Sequence, residues 1–244
     1  SMRRLLIDSG NSRVKWGRGG ESGVESTAVV DAEQLEQLPE YWRRQSAPNQ
    51  VWMVNSAGQQ REQQLQQWVQ QCWALQPQII QSAEQWGALT NGYANPQQLG
   101  VDRWLGMVAA WQRTKGAFCL IDCGTAVTLD FVDTDGEHQG GLILPAVGST
   151  LQTLLQRAPH LKAHYREGQH QLLLGRTTEE ALKAAEHGVG LMLNEVLVQL
   201  ESRYGLFGVW LTGGAAEKIQ QELSAEAEVA SELVLEGVDL WASS

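Results

Sequence analysis

Two short, similar segments hold the residues best suited to chemistry. Leu5-Leu6-Ile7-Asp8-Ser9-Gly10-Asn11-Ser12 and Leu120-Ile121-Asp122-Cys123-Gly124-Thr125-Ala126 each run an apolar strand into an Asp-x-Gly-[Asn/Thr] turn, and Asp122 follows Asp8 by 114 positions. Glycine lets the backbone approach an anion and present its N–H groups, a small hydroxyl or amide adds a donor, and the aspartate holds a cation or orients water. A phosphate with its metal ion suits such a turn. One copy alone also describes ordinary strand-end turns, whereas two copies half a chain apart point to an internal duplication gripping a ligand between its halves.

Other candidates lie around these turns. Lys15, on the strand leaving the first turn, reads either as a solvent-facing strand residue or as a point charge aimed at a phosphate. Val209-Trp210-Leu211-Thr212-Gly213-Gly214-Ala215-Ala216 is a strand running through Gly-Gly into a helix, a common turn that also lets an adenine or ribose lie against a helix start. In Leu99-Gly100-Val101-Asp102-Arg103-Trp104, Asp102 reads either as a cap on the helix that follows or as a base taking a proton from a substrate hydroxyl. Its place at a helix N-terminus is expected to keep it ionised. Arg103 offers its two-pronged face to a substrate carboxylate, and Tyr93 either closes over that substrate or anchors its loop in the core. Thr177 to Glu180 fits a capping box, which leaves the neighbouring threonine for a ligand. Neither common nucleotide signature, Gly-x4-Gly-Lys-[Ser/Thr] nor Gly-x-Gly-x2-Gly, occurs.

The elements that must position these groups can be read from periodicity. Strands are expected over 3–9, 13–17, 24–30 and 51–55, with an amphipathic helix near 59–73, a short strand over 77–81 and a helix over about 101–114. A second series has strands over 116–122, 126–132 and 137–144, helices near 149–157, 177–203 and 214–224, and a strand over 208–212. Hairpins followed by strand-helix alternation, stated twice, predict an α/β protein of two lobes with mixed sheets, residues 1–115 and 116–244. The tail 233–240 is free to pack on either lobe.

Composition narrows the class. With 244 residues, 43% of them hydrophobic and 19% charged, the chain is long enough for a substantial core. A formal net charge of −10 argues against nucleic acid or an anionic membrane as partner, so an anionic substrate needs local help from Lys15, Arg103, helix N-termini or a bound cation. Three cysteines suit a reducing cytoplasm. Cys119-x3-Cys123 and His160-x3-His164 imitate a zinc pattern, but Cys119 falls inside a strand and Cys123 in a phosphate-type turn. No apolar run approaches membrane-spanning length, and Ser1 ahead of Met2 reads as a cloning remnant.

Taken together and in this order, these residues resemble the type III pantothenate kinases, the family that also contains the Bvg accessory factor-like proteins. The motifs that carry the resemblance are Asp8-Ser9-Gly10-Asn11-Ser12-x2-Lys15, Tyr93 with Gly100-Val101-Asp102-Arg103, Asp122-Cys123-Gly124-Thr125-Ala126-x-Thr128-x-Asp130, and Leu211-Thr212-Gly213-Gly214. The resemblance implies two ribonuclease-H-like lobes of the acetate and sugar kinase, Hsp70 and actin superfamily, with the ligand cleft between them, in a homodimer. It implies transfer of the ATP γ-phosphate to the 4′-hydroxyl of pantothenate, the first step of coenzyme A synthesis, with Mg²⁺ and a monovalent cation, K⁺ or NH₄⁺. Asp102 would be the proton acceptor; Tyr93, Gly100, Val101 and Arg103 would hold pantothenate, and Thr178 would reach it near the dimer interface. Asp8, Ser9, Gly10, Asn11, Ser12, Arg13, Val14 and Lys15 would bind ATP with Thr125, Gly213 and Gly214. Asp122 would hold the monovalent cation, and Asp8 would hold Mg²⁺, directly or through water. A non-catalytic regulator of the same fold is the alternative, and it predicts erosion of these positions. Two family glycines are replaced, by Ala146 and Ala185, and an alanine forced into positive φ there would cost about 1 kcal/mol.

Overall fold

The apolar run at the start of the chain forms β1 (Arg4–Ser9), in which Leu5, Leu6 and Ile7 are all fully buried, as in a strand covered on both faces. A computed structural model describes residues 2–167 and 173–244; Ser1 lies outside them. The chain divides into two compact units, one of residues 1–116, 130–140 and 232–244, the other of 117–129 and 141–231.

In the first unit β1 pairs antiparallel with β2 (Arg13–Gly20) and parallel with β4 (Gln50–Asn55); β3 (Gly23–Asp31) and β5 (Gln78–Ile79) complete the order β3-β2-β1-β4-β5. Leu5, Ile7, Val14, Trp16, Val51 and Met53 form one core with Leu38 and Trp42 of α1 (Leu38–Arg43) and Leu65 and Val69 of α2 (Gln59–Trp73). The sequence pattern shows α2 but not α1, which is six residues long and has Pro39 in its first turn rather than an amphipathic repeat. A small hairpin, β6 (Gln85–Trp86) with β7 (Leu89–Thr90), precedes α3 (Val101–Arg113).

Helix α3 buries an unbroken run through its middle, Arg103 through Ala110. Its cover is the tail, which forms α9 (Leu233–Ser243) and packs on α3, β1 and β4. The two helices meet closely: a Cβ at Gly237 would overlap the Leu105 carbonyl, and Trp104 meets Trp241 edge to face at 6.5 Å.

The second sheet has the order β10-β9-β8-β11-β12, from β8 (Phe118–Cys123), β9 (Ala126–Val132), β10 (His138–Pro145), β11 (Gly208–Thr212) and β12 (Glu228–Val229). The second unit adds α4 (Val147–Arg157), α5 (Pro159–Lys162), α6 (Thr178–Ala184), α7 (Gly188–Tyr204) and α8 (Ala216–Glu222). The single helix expected over 177–203 is interrupted by a 3-10 turn at Ala185–His187. Two causes meet there. Gly188 and Gly190 are weak helix formers, and Glu222 comes so close that a Cβ at Gly190 would lie 2.7 Å from its own Cβ, while its carboxylate holds His187 Nδ1 at 2.8 Å. Ala146 (φ −65) and Ala185 (φ −65) both sit in ordinary backbone, so the strain expected of the two replaced glycines does not arise.

Candidate active site

In the first unit the hairpin register sets Asp8 of β1 directly opposite Lys15 of β2, so a carboxylate and an ammonium share one sheet face beside the turn. Lys15 Nζ also lies 3.9 Å from Glu232 Oε2. The turn closes by Gly10 N–H donating to the Arg13 carbonyl at 3.0 Å, and Ser9 is fully buried while Asn11 and Ser12 are exposed. Arg13 is half-buried and Val14 points into the core. Arg61, from the first turn of α2, donates Nη1 to the Gly10 carbonyl at 2.8 Å. Sequence reasoning missed this cation at the phosphate-type turn, because a lone arginine in a glutamine-rich helix carries no signal of where it reaches.

In the second unit the corresponding turn is one residue shorter: β8 ends at Cys123, β9 begins at Ala126, and Gly124 N–H donates to the Ala126 carbonyl at 3.0 Å. Thr125 is exposed at its tip. Parallel pairing of β8 with β11 places Thr212 beside Asp122 and brings the Gly-Gly segment to the same strand ends. Gly213 has φ +92, and a Cβ on it would lie 2.7 Å from Asp122 Oδ1 and 2.6 Å from the Cys123 carbonyl. Glycine is therefore required twice, for the backbone and for the space over the carboxylate. Burial, helped by the Asp122 charge, pushes the Cys123 thiol up to about 12, which keeps it protonated and unreactive. Thr178 is the exposed first residue of α6, while Thr177 caps it by accepting from Glu180 N–H at 3.1 Å.

A buried polar cluster belongs to the first unit. Helix α3 is entered through Gly100, and its N-cap position lacks a side-chain bond, so Asp102 does not cap in that sense. A Cβ at Gly100 would lie 2.9 Å from Asp102 Oδ1; glycine clears room for the carboxylate. Burial pushes the Asp102 carboxyl above its ordinary value, outweighing the backbone N–H groups of Arg103 and Asp102 and the Arg103 charge that favour the anion. The helix N-terminus thus does not dominate as the sequence alone suggested.

Arg103 is 5% exposed, and its fork face is already taken: Nε donates to Asp130 Oδ2 at 2.9 Å and Nη2 to Asp130 Oδ1 at 2.8 Å. The bidentate grip on a substrate carboxylate expected from sequence is therefore made to Asp130 instead, and the outer nitrogen Nη1 donates to Tyr93 Oη at 2.9 Å. Burial alone would raise the Asp130 carboxyl, but hydrogen bonds from His138 and Arg103 and the Arg103 charge prevail and hold it below its ordinary value. Tyr93 stacks on His138 at 5.9 Å between centroids, with the Arg103 guanidinium carbon 5.4 Å from its ring centre. Chemically, the cluster presents a carboxylate able to take a proton, beside a phenol and a guanidinium nitrogen locked in orientation.

A type III pantothenate kinase family profile matches residues 4–194. The chain belongs to the type III pantothenate kinase family. It is 33% identical to the type III pantothenate kinase of Nitrosococcus oceani over 96% of this chain and 91% of that one. It is 34% identical to that of Marinobacter nauticus over 98% of each, and 36% identical to that of Pseudomonas aeruginosa over 97% of each. Among solved structures, a protein described as a Baf family transcriptional activator of Campylobacter jejuni superposes with TM-score 0.64 at 17% identity, covering 98% of this chain and 97% of that one. A protein described as a 2-dehydro-3-deoxygalactonokinase of Sinorhizobium meliloti gives TM-score 0.62 at 15% identity over 98% of each chain. These likenesses establish the fold: an α/β protein with two mixed sheets.

Proposed function

We propose that this type III pantothenate kinase transfers the γ-phosphate of ATP to the 4′-hydroxyl of pantothenate, with Asp102 as the proton acceptor. The observation that carries the reading is the buried Asp102 carboxylate at the start of α3, cleared by Gly100 and flanked by the Arg103–Tyr93 pair. Asp102 takes the hydroxyl proton as the oxygen attacks phosphorus. Tyr93, Gly100, Val101 and the Nη1 edge of Arg103 hold the acceptor, so that attack is in line. The Asp8-to-Lys15 turn, with Arg61 behind it, holds phosphates, and Thr125, Gly213 and Gly214 serve the nucleotide.

Two cations fit the residues present. Asp8, set against Lys15, suits Mg²⁺ travelling with ATP, and the space over Asp122 Oδ1 that a Cβ at 213 would fill suits a larger monovalent cation, K⁺ or NH₄⁺. When bound, such ions neutralise charge on the phosphates. All positions of the proposed set are retained, which leaves nothing to favour a non-catalytic regulator.

A homodimer is part of the proposal. Leu191, Met192 and Val198 of α7 are exposed, and Met192 lines a groove of about 300 Å³ together with Val147, Leu151, Leu154 and Val189. Three large apolar side chains exposed on one helix suit a partner surface, and Thr178 opens the neighbouring α6. No described helix is long and apolar enough to cross a membrane; the free thiols Cys72, Cys119 and Cys123 agree with the cytoplasm. The test is a coupled assay of ADP formation from ATP and pantothenate, with and without K⁺. Potassium-dependent turnover is expected, and folded protein that forms no ADP under either condition overturns the reading.

A further inference from the structure

His138, the first residue of β10, belongs to none of the motifs, yet it is buried against Tyr93, proposed to hold pantothenate, and against Asp130, which binds Arg103. Its Nδ1 accepts the Gly92 N–H at 3.2 Å, which leaves the ring proton on Nε2, 2.8 Å from Asp130 Oδ1. The same ring stacks on Tyr93 with an interplanar angle of 15°. Two paths therefore leave one imidazole and meet at one tyrosine, the first at its backbone and the second at its hydroxyl. The first runs through Gly92 to the adjoining Tyr93, and the second runs through Asp130 and Arg103 to Tyr93 Oη.

The surrounding backbone is built for this approach. A Cβ at Gly92 would overlap the His138 carbonyl, so only glycine brings the loop this near. Thr90 N–H donates to the Gly136 carbonyl at 2.8 Å, and Asn91 Nδ2 donates to the carbonyls of Ala83 and Pro96, which fastens the loop on either side of Tyr93. Both ring nitrogens of His138 are committed to protein groups, so it does not itself touch substrate.

We infer that His138 is a positioning residue of the acceptor site: it sets the orientation of Tyr93 and Arg103 through Gly92 and Asp130. The inference rests on the kinase reading above. A core histidine that merely filled space would be replaced without consequence by any ring of its shape. One that orients two substrate-binding side chains would alter the acceptor's apparent affinity and leave that of ATP alone.

His138→Phe keeps a flat ring against Tyr93 and removes both hydrogen bonds; His138→Gln retains an amide donor for Asp130. Steady-state kinetics of the full chain are expected to show KM for pantothenate raised about tenfold in His138→Phe, with KM for ATP unchanged and kcat within about twofold. His138→Gln is expected to recover most of the loss. A folded His138→Phe enzyme with the wild-type KM for pantothenate overturns the inference, as does a parallel rise in both KM values. Should His138→Phe fail to fold, His138→Gln carries the measurement: a smaller rise confined to pantothenate supports the assignment, and no rise overturns it. Wild-type protein in the same assay separates the two levels, because absence of turnover there defeats the kinase reading itself and this inference with it.

Discussion

For Asp102 to accept a proton it must first be ionised, and its surroundings set the pH at which that happens. Burial raises its carboxyl; in the proposed role the anion is the active form, so activity is expected to fall as pH drops through this raised value. The acid limb of kcat/KM is expected above the ordinary carboxylate value of 3.8 and should be absent from any residual activity of Asp102→Asn. That variant is expected to lose about 100- to 10,000-fold in kcat while binding pantothenate nearly as before, a separation that calorimetry beside turnover would check; wild-type kcat would remove the base assignment. Asp130 titrates in the opposite sense. Its depressed carboxyl contributes stability that is fully present above 3.8 and lost as pH falls through the folded value. Asp130→Asn leaves Arg103 a buried charge without its partner and is expected to cost about 3–5 kcal/mol in urea unfolding at neutral pH. Tyr93, Gly100, Asp102 and Arg103 were legible in the sequence because they cluster within a few positions of one helix start. Their bonds were not: Arg103 and Asp130 are 27 residues apart, and no local pattern says that an arginine's fork is already occupied.

At the level of elements, the long periodic segments read well from sequence. Helix α2 and strands β9 and β11 fall at the boundaries their patterns suggest, because a strong apolar repeat both forms the element and buries it. Short pieces escaped. Helix α1 and the β6–β7 hairpin are held by tertiary contacts rather than by their own repeat, and the break at Ala185–His187 depends on Glu222 arriving from α8. The contact between α3 and α9 was equally hidden, since it turns on the missing side chain of Gly237. Gly237→Ala is expected to push the helices apart and cost about 1–3 kcal/mol. A lowered thermal midpoint, together with altered tryptophan fluorescence from Trp104 and Trp241, would reveal it; an unchanged midpoint would show that the helices have room to spare.

For the whole molecule, the charge of −10 repels nucleic acid and offers no general attraction to anionic substrates, so local groups such as Lys15 and Arg61 must supply it. The exposed apolar face of α7 is the other global feature. Leu191→Glu places a charge where Leu191 is 54% exposed, so it should leave the folded chain intact and, in the proposed dimer, shift sedimentation toward monomer; sedimentation unchanged from the wild-type chain would remove this face as the interface. One further consequence follows from the tail. Helix α3 carries Asp102 and Arg103, but α9, the element that covers it, is synthesised more than a hundred residues later. On the ribosome, then, the helix bearing Asp102 keeps its apolar side unshielded until α9 has been made and has emerged. A chain stopped within α9 would keep every group proposed for chemistry and still leave the buried side of α3 without its cover, so the site depends on an element that carries none of its chemistry.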